Sequence, residues 1–347
     1  MRVLVTGGAG YLGSVLIRKL LQNNYKVLVL DNFLYGRKSL LDIINDHNLE
    51  ILEGDVRDLN VVSKALINVD AVVHLASIVG DQAGNLDSKT TLVINYLATK
   101  ALAEMCAIFG VQKFIFASTC SVYGDAPNHA MRETDLDQER LPETPSWGEV
   151  PKPISLYGET KLRSEMALRS ISDLEPTIFR LGTLFGLSPR MRFDLVINLF
   201  IAKALSKEKI KVFGGQQHRP FLHVQDAAGA MIFALNNHLN GTFNVAWSNL
   251  TILDVAQIVS ERLGAEFELS EEIVDKRNYI VTTDKLKEIG VTPDKTINDA
   301  IVEIEEAFDR GLIRKYSDDE YSNYKSLFNS KELQRKIYSF GPIGERI

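Results

Sequence analysis

Over the first 180 residues, short β-rich apolar runs alternate with stretches of helical periodicity, and few folds accept that order. The candidate strands are R-V-L-V-T (2–6), K-V-L-V-L (26–30), E-I-L-E-G (50–54), A-V-V-H-L-A (71–76), K-F-I-F-A-S (113–118) and P-T-I-F-R (176–180). Strands separated by helix-length segments pair in parallel, with the helices covering both faces of the sheet. Right-handed crossovers then make the sheet doubly wound. After Arg180 the periodicity weakens to a helix over 194–206, a β-like K-V-F at 211–213, and helices around 225–236 and 252–263. The reading is an α/β fold with a smaller, partly interleaved α/β second domain. Residues 1–180, with about 220–250 returning to them, form the first domain; 181–219 and 251–315 form the second. Residues 316–347, polar and charged, are expected to be a peripheral helix and tail.

Chain length and a 45% hydrophobic composition supply an ordinary core. A net charge of −6 argues against a nucleic acid as partner and leaves a small ligand as the expectation. Cys106 and Cys120 cannot build a disulfide framework, and neither has metal-site spacing, so no metal is expected. That usage fits a reducing, cytoplasmic setting. With no run of eighteen apolar residues, no membrane partner is expected. Five prolines, Pro127, Pro142, Pro145, Pro151 and Pro153, break the pattern between Gly124 and Tyr157, which is read as a long loop, functional or disordered rather than a plain connector.

Between the first strand and the helix Y-L-G-S-V-L-I-R-K-L-L stands T-G-G-A-G-Y-L-G (6–13). Gly7, Gly10 and Gly13 permit a tight turn that brings backbone N–H groups, with those of Tyr11 and Leu12, up to a pyrophosphate at a helix N-terminus. Asp31, 18 residues after Gly13 at the end of the second strand, can accept from an adenosine ribose, with Asn32 beside it. An acid there repels a 2′-phosphate, which favours NAD over NADP and makes the sheet a Rossmann sheet; Arg37 and Lys38 stand nearby. A structural turn with a surface aspartate is the bland alternative. Asp55 and Val56, closing the third strand, are placed to flank an adenine, or to act as a helix cap.

Y-G-E-T-K puts Tyr157 and Lys161 four residues apart on one helical face. A phenol with its ordinary pKa of about 10 is a poor base, and a cation one turn away favours the phenolate. The pair follows S-T-C-S-V-Y-G (118–124), a hydroxyl cluster at a strand end that either caps a loop or holds a substrate.

Taken together, these motifs resemble the extended short-chain dehydrogenase/reductase family of NAD-dependent nucleotide-sugar epimerases and dehydratases, over most of residues 1 to about 305. Further supports are D-N-F (31–33), G-D-V-R-D (54–58), H-L-A (74–76), Asn95, Arg180 and R-P-F-L-H-V-Q-D (219–226). The resemblance implies NAD held also by Leu75 and Ala76, a nucleotide-diphosphate sugar as partner, and a homodimer through helices around 88–109 and 157–172. It implies Thr119 as the contact to the sugar hydroxyl being oxidised, Tyr157 as base, and Lys161 as electrostatic partner and holder of the nicotinamide ribose. Arg219 and Arg277 match family arginines on the diphosphate, while Asp81, Cys120, Ser121, Thr183, Arg190 and Arg192 are the remaining substrate-binding candidates. Thr183 departs from the asparagine of many relatives.

Dehydratases of the family carry an Asp-Glu pair directly after the threonine, where this chain has Cys120 and Ser121. Elimination across C5 and C6 is therefore disfavoured. A 4-epimerase, or a 4-dehydrogenase that releases the ketone, remains. The segments S-P-R-M-R-F-D-L-V-I-N (188–198) and D-K-R-N-Y-I-V (275–281) are similar to a subgroup that includes GDP-heptose 4-dehydrogenases.

Overall fold

In the computed structural model, which describes residues 1–111, 113–136, 153–272 and 275–338, seven strands form one parallel sheet. Its order is Gly241–Val245, Glu175–Leu181, Lys113–Thr119, Ala71–His74, Arg2–Thr6, Lys26–Asp31, Leu49–Glu53. Successive side chains point to opposite faces, and both faces are covered. Val3, Val5, Val27 and Val29 pack with Leu16 and Leu20 of the Tyr11–Gln22 helix. Leu4, Leu28, Leu30, Phe114 and Phe116 pack on the other side with Ala98 and Leu102. Such strands have no polar face, hence their continuous apolar runs. The chain reverses direction across the sheet between Arg2–Thr6 and Ala71–His74, and a crevice opens at that switch point beyond the strand ends.

The six expected strands are present, each within a residue or two at its ends. The seventh, Gly241–Val245, was not among them. Its Asn244 is fully buried and bonds Tyr123 Oη, Met131 O and Thr282 O, so the run does not read as an apolar core strand. The stretch after Gly124, read as loop, begins with a strand, Asp125–Met131, paired in parallel with Asn278–Val281. Pro142, Pro145 and Pro151 lie outside the described residues. Smaller sheets of Thr183–Phe185, His218–His223 and Ser248–Thr251, and of Ile210–Phe213 with Phe267–Ser270, build the second region.

Helical residues run from Ser88 to Ile108, long and apolar enough by composition to cross a bilayer, yet Ala98, Leu102, Ala103 and Cys106 are buried against the sheet. A π-turn at Val93–Leu97 interrupts the run. Such turns free a backbone carbonyl, and that of Asn95 accepts from Ser164 on the Leu156–Arg169 helix at 2.8 Å. The Asn95 side chain clamps both backbone groups of Ile78. The helix of Tyr157 and the loop after the fourth chain strand are thereby fixed to one another.

The C-terminal segment is not peripheral. Leu327 and Ile337 are buried against Leu34, Ile78, Ala83 and Ile94. Within the segment expected to be a peripheral helix and tail, two short helices, Asn323–Asn329 and Lys331–Tyr338, are laid on two loops of the crevice, and residues 339–347 lie outside the described residues.

Candidate active site

A cleft of about 1070 Å³ lies over the strand ends, lined by the glycine loop, Asp31, Asp55, Thr119, Tyr157, Arg219 and Arg277 among others. Gly7 has φ +72°, and a Cβ there would sit 2.7 Å from the backbone N of Ala76. At Gly13 a Cβ would meet Gly7 O at 2.3 Å. Only glycine lets the loop lie against Leu75–Ala76 and the helix start this closely. Gly10 caps that helix without a side-chain bond, so the first-turn N–H groups, and the positive end of the helix, are left for a ligand.

Asp31 accepts from Ala9 N at 2.9 Å and Phe33 N at 2.7 Å; burial raises its pKa against the pull of those bonds. Arg37 pairs with Glu53 and Lys38 with Glu320, so both neighbouring cations are engaged elsewhere. Asp55 is gripped by Arg57 (Nε to Oδ1 and Nη2 to Oδ2, 2.8 Å each) and by Asn32 at 3.0 Å. Burial works to raise the Asp55 pKa, and the Arg57 bonds and charge outweigh it, leaving a firm carboxylate.

Thr119 serves two ends at once. Its Oγ1 accepts from Ser121 N at 3.1 Å, capping a 3₁₀ turn, and the same hydroxyl acts on the Tyr157 phenol to favour its ionised form. Burial pushes the Tyr157 pKa up to about 12, while Thr119, Arg192 and Arg277 pull it down and Asp81 pushes it up. Two cations from far along the chain, Arg192 and Arg277, thus act on Tyr157. Lys161 Nζ donates to Ala117 O at 2.9 Å over the Phe116 ring, and burial lowers its pKa to about 7. Glu165, a further turn on, forms a fully buried ion pair with Arg180 (2.7 Å) and accepts from Ser118. His74, bonded to Thr6 and Thr99, is a satisfied core histidine whose pKa burial lowers to about 3.

At the arginine end, Arg277 reaches Asp275 (2.6 Å), Asp81 (3.3 Å) and Ser121 Oγ (3.1 Å). Arg219 pairs with Asp275 at 2.9 Å. Ser121 also bonds Tyr279 Oη at 3.2 Å. Arg192 is held by Asp194 through two bonds of 2.9 and 3.0 Å. Arg190 has no such partner. Buried beside the Tyr35 ring, its two terminal nitrogens lack hydrogen bonds among the described residues, and burial lowers its pKa to about 10.

Tyr11, Leu12, Asn32, Val56, Leu75, Ala76 and Thr183 also line the cleft, so nearly every residue singled out from the sequence comes together there. Cys120 does not. Its thiol donates to Arg180 O at 3.1 Å, inside a cluster with Val122, Tyr123 and Met131, because the capped turn swings it inward. Cys120 is buried away from the cleft lining, and burial pushes its thiol far up in pKa, which makes it unreactive. Tyr35, Asn323, Tyr324 and Ile337 line the cleft and were not anticipated. For Tyr324 and Ile337 a signal existed in the spacing of Tyr324, Leu327, Leu333 and Ile337 within a polar stretch. Among the described residues no group of three or more acidic, histidine or cysteine side chains is placed to hold a metal.

The model of the NAD dependent epimerase/dehydratase family matches residues 3–246. The chain belongs to this family. As a family member it is NAD-dependent, and its residues fit that cofactor: a glycine cradle that a Cβ would fill, an uncapped helix start and a buried Asp31. UDP-glucuronic acid decarboxylase 1 of Arabidopsis thaliana is 31% identical over 272 residues, 75% of this chain and 58% of that protein. The chain spans less than two thirds of the length of such curated decarboxylase relatives. Among solved structures, the UDP-N-acetylglucosamine 4-epimerase of Methanobrevibacter ruminantium is 27% identical with a TM-score of 0.78, covering 89% of this chain and 98% of its own. The UDP-glucose 4-epimerase of Thermus thermophilus, in complex with NAD, is 26% identical with a TM-score of 0.75, covering 89% and 99%.

Proposed function

We propose that this family member is a nucleotide-sugar 4-epimerase. In this reading Thr119 holds the sugar 4-hydroxyl, Tyr157 takes its proton and later returns one, and Arg219 and Arg277 hold the nucleotide diphosphate. Bound NAD supplies a hydride acceptor that can give the hydride back. Lys161 sits beneath the pair and holds the cofactor ribose.

The observation that carries the reading is the content of the turn after Thr119. Cys120 points into the core, and Ser121 is bonded to Tyr279 and Arg277. The carboxylates on that side, Asp81 and Asp275, are paired with Arg277. One proton-transfer group is what reversible oxidation at a single hydroxyl needs; elimination of water needs a second acid/base pair. The two 4-epimerases of similar structure support the same choice. The 188–198 and 275–281 segments favour a second reading, a 4-dehydrogenase that releases the ketone.

Incubation with UDP-, GDP- and CDP-sugars, following product by NMR and NADH by absorbance, tests this. A C4 epimer without NADH accumulation is expected. A free 4-keto sugar with reduced cofactor would replace it by the dehydrogenase, and loss of C6 as carbon dioxide or of its hydroxyl would overturn both.

A further inference from the structure

The helices Asn323–Asn329 and Lys331–Tyr338 lie beyond residue 246, where the family match ends, and their Asn323, Tyr324 and Ile337 line the cleft. Their buried side chains, Leu327 and Ile337, rest on the loops that follow the second and fourth chain strands, through Leu34, Ile78 and Ala83. Polar ties hold the segment at both ends. Arg57 Nη1 donates to Ile337 O at 2.7 Å while the same guanidinium grips Asp55. The backbone N–H of Asn323 donates to Asp194 at 3.0 Å, beside Arg192. Asn323 and Ile337 face the cleft, and Asn323 Oδ1 is buried without a hydrogen-bond partner among the described residues. A buried orphan acceptor is costly unless a ligand donor completes it.

We propose that residues 323–338 belong to the cofactor site, as a clasp laid over the adenosine end of NAD and anchored through Arg57 and Asp194. The Asp55–Arg57–Ile337 chain ties the clasp to the adenine-flanking strand end, and Asn323 presents its carbonyl oxygen to the bound dinucleotide. While the clasp is docked, the cofactor cannot leave through that side. The consequence rests on the 4-epimerase reading: a cofactor that stays in place through the cycle needs no external oxidant.

Hydrogen exchange on the full chain, with and without NAD, reads the clasp directly. Amides of 323–338 are expected to exchange about tenfold more slowly with NAD bound. Slowing at the glycine loop alone overturns the proposal, as does absence of NAD binding. In the Leu327→Ala/Ile337→Ala double variant, release of NAD measured by competitor chase is expected to be at least about tenfold faster, with UDP affinity within about twofold. An unchanged release rate overturns it. Should that variant fail to fold, the exchange measurement decides. A protein whose clasp responds to NAD but which releases a ketone keeps this inference and loses the 4-epimerase reading.

Discussion

Replacing Lys161 by methionine should move stability and turnover in opposite directions. Lys161 is 2% exposed, its ammonium has one hydrogen bond among the described residues, to Ala117 O, and burial lowers its pKa to about 7. In the unfolded chain the same group titrates near about 10.4. Between those values the unfolded state binds one more proton than the folded state, so stability rises with pH from about 7 to about 10.4. Below pH 7 the buried charge weighs fully on the fold. From pH 6 to pH 9 the window covers about two pK units, a gain of ~3 kcal/mol for the native chain that the methionine variant does not share. Methionine keeps the volume and flexibility of the stem and loses one hydrogen bond, ~1 kcal/mol. Urea unfolding at pH 6, 7.5 and 9 without added cofactor measures this directly. The variant should be the more stable protein at pH 6, its advantage should shrink by ~3 kcal/mol by pH 9, and it should be inactive throughout. Stability curves that run parallel across this range would refute the argument that Lys161 is strained by burial.

Tyr157→Phe should reduce turnover by about 10²- to 10⁴-fold while NAD titration gives an affinity within a few-fold of the native chain. Gly13→Ala places a methyl 2.3 Å from Gly7 O, a backbone atom that cannot swing away; NAD binding should be lost and urea unfolding should show a cost above about 2 kcal/mol. Cys120→Ala should leave turnover within a few-fold at a stability cost of ~1–2 kcal/mol, and a hundredfold loss of rate would return the thiol to the site.

The central sheet was legible because strands buried on both faces must be apolar throughout, and the glycine loop and Tyr157–Lys161 because their spacings are local. Gly241–Val245 escaped notice because Asn244 trades apolar character for buried bonds to three distant chain segments. Adjacency to Thr119 in the sequence does not place Cys120 in the cleft, because Thr119 caps a 3₁₀ turn that carries the thiol inward. That Arg192 and Arg277 also act on Tyr157 was not legible, because they arrive from far along the chain. The role of the C-terminal helices was hidden for the same reason. Their apolar residues are few, and their partners, Leu34 and Ile78, lie more than 200 residues earlier.

Tyr157, Lys161 and Glu165 recur every four residues on one helix, and the last of them is locked to Arg180 with no solvent on either side. Sliding that helix by one turn, about 5.4 Å, would strand both charges in the core at a cost of about 3–5 kcal/mol. The pair therefore works as a detent. Residues ahead of the helix can be inserted or deleted without carrying the tyrosine out of alignment with Thr119, because the helix is indexed from its far side. The approach to the cleft can then change in length while Tyr157 keeps its place beside Thr119.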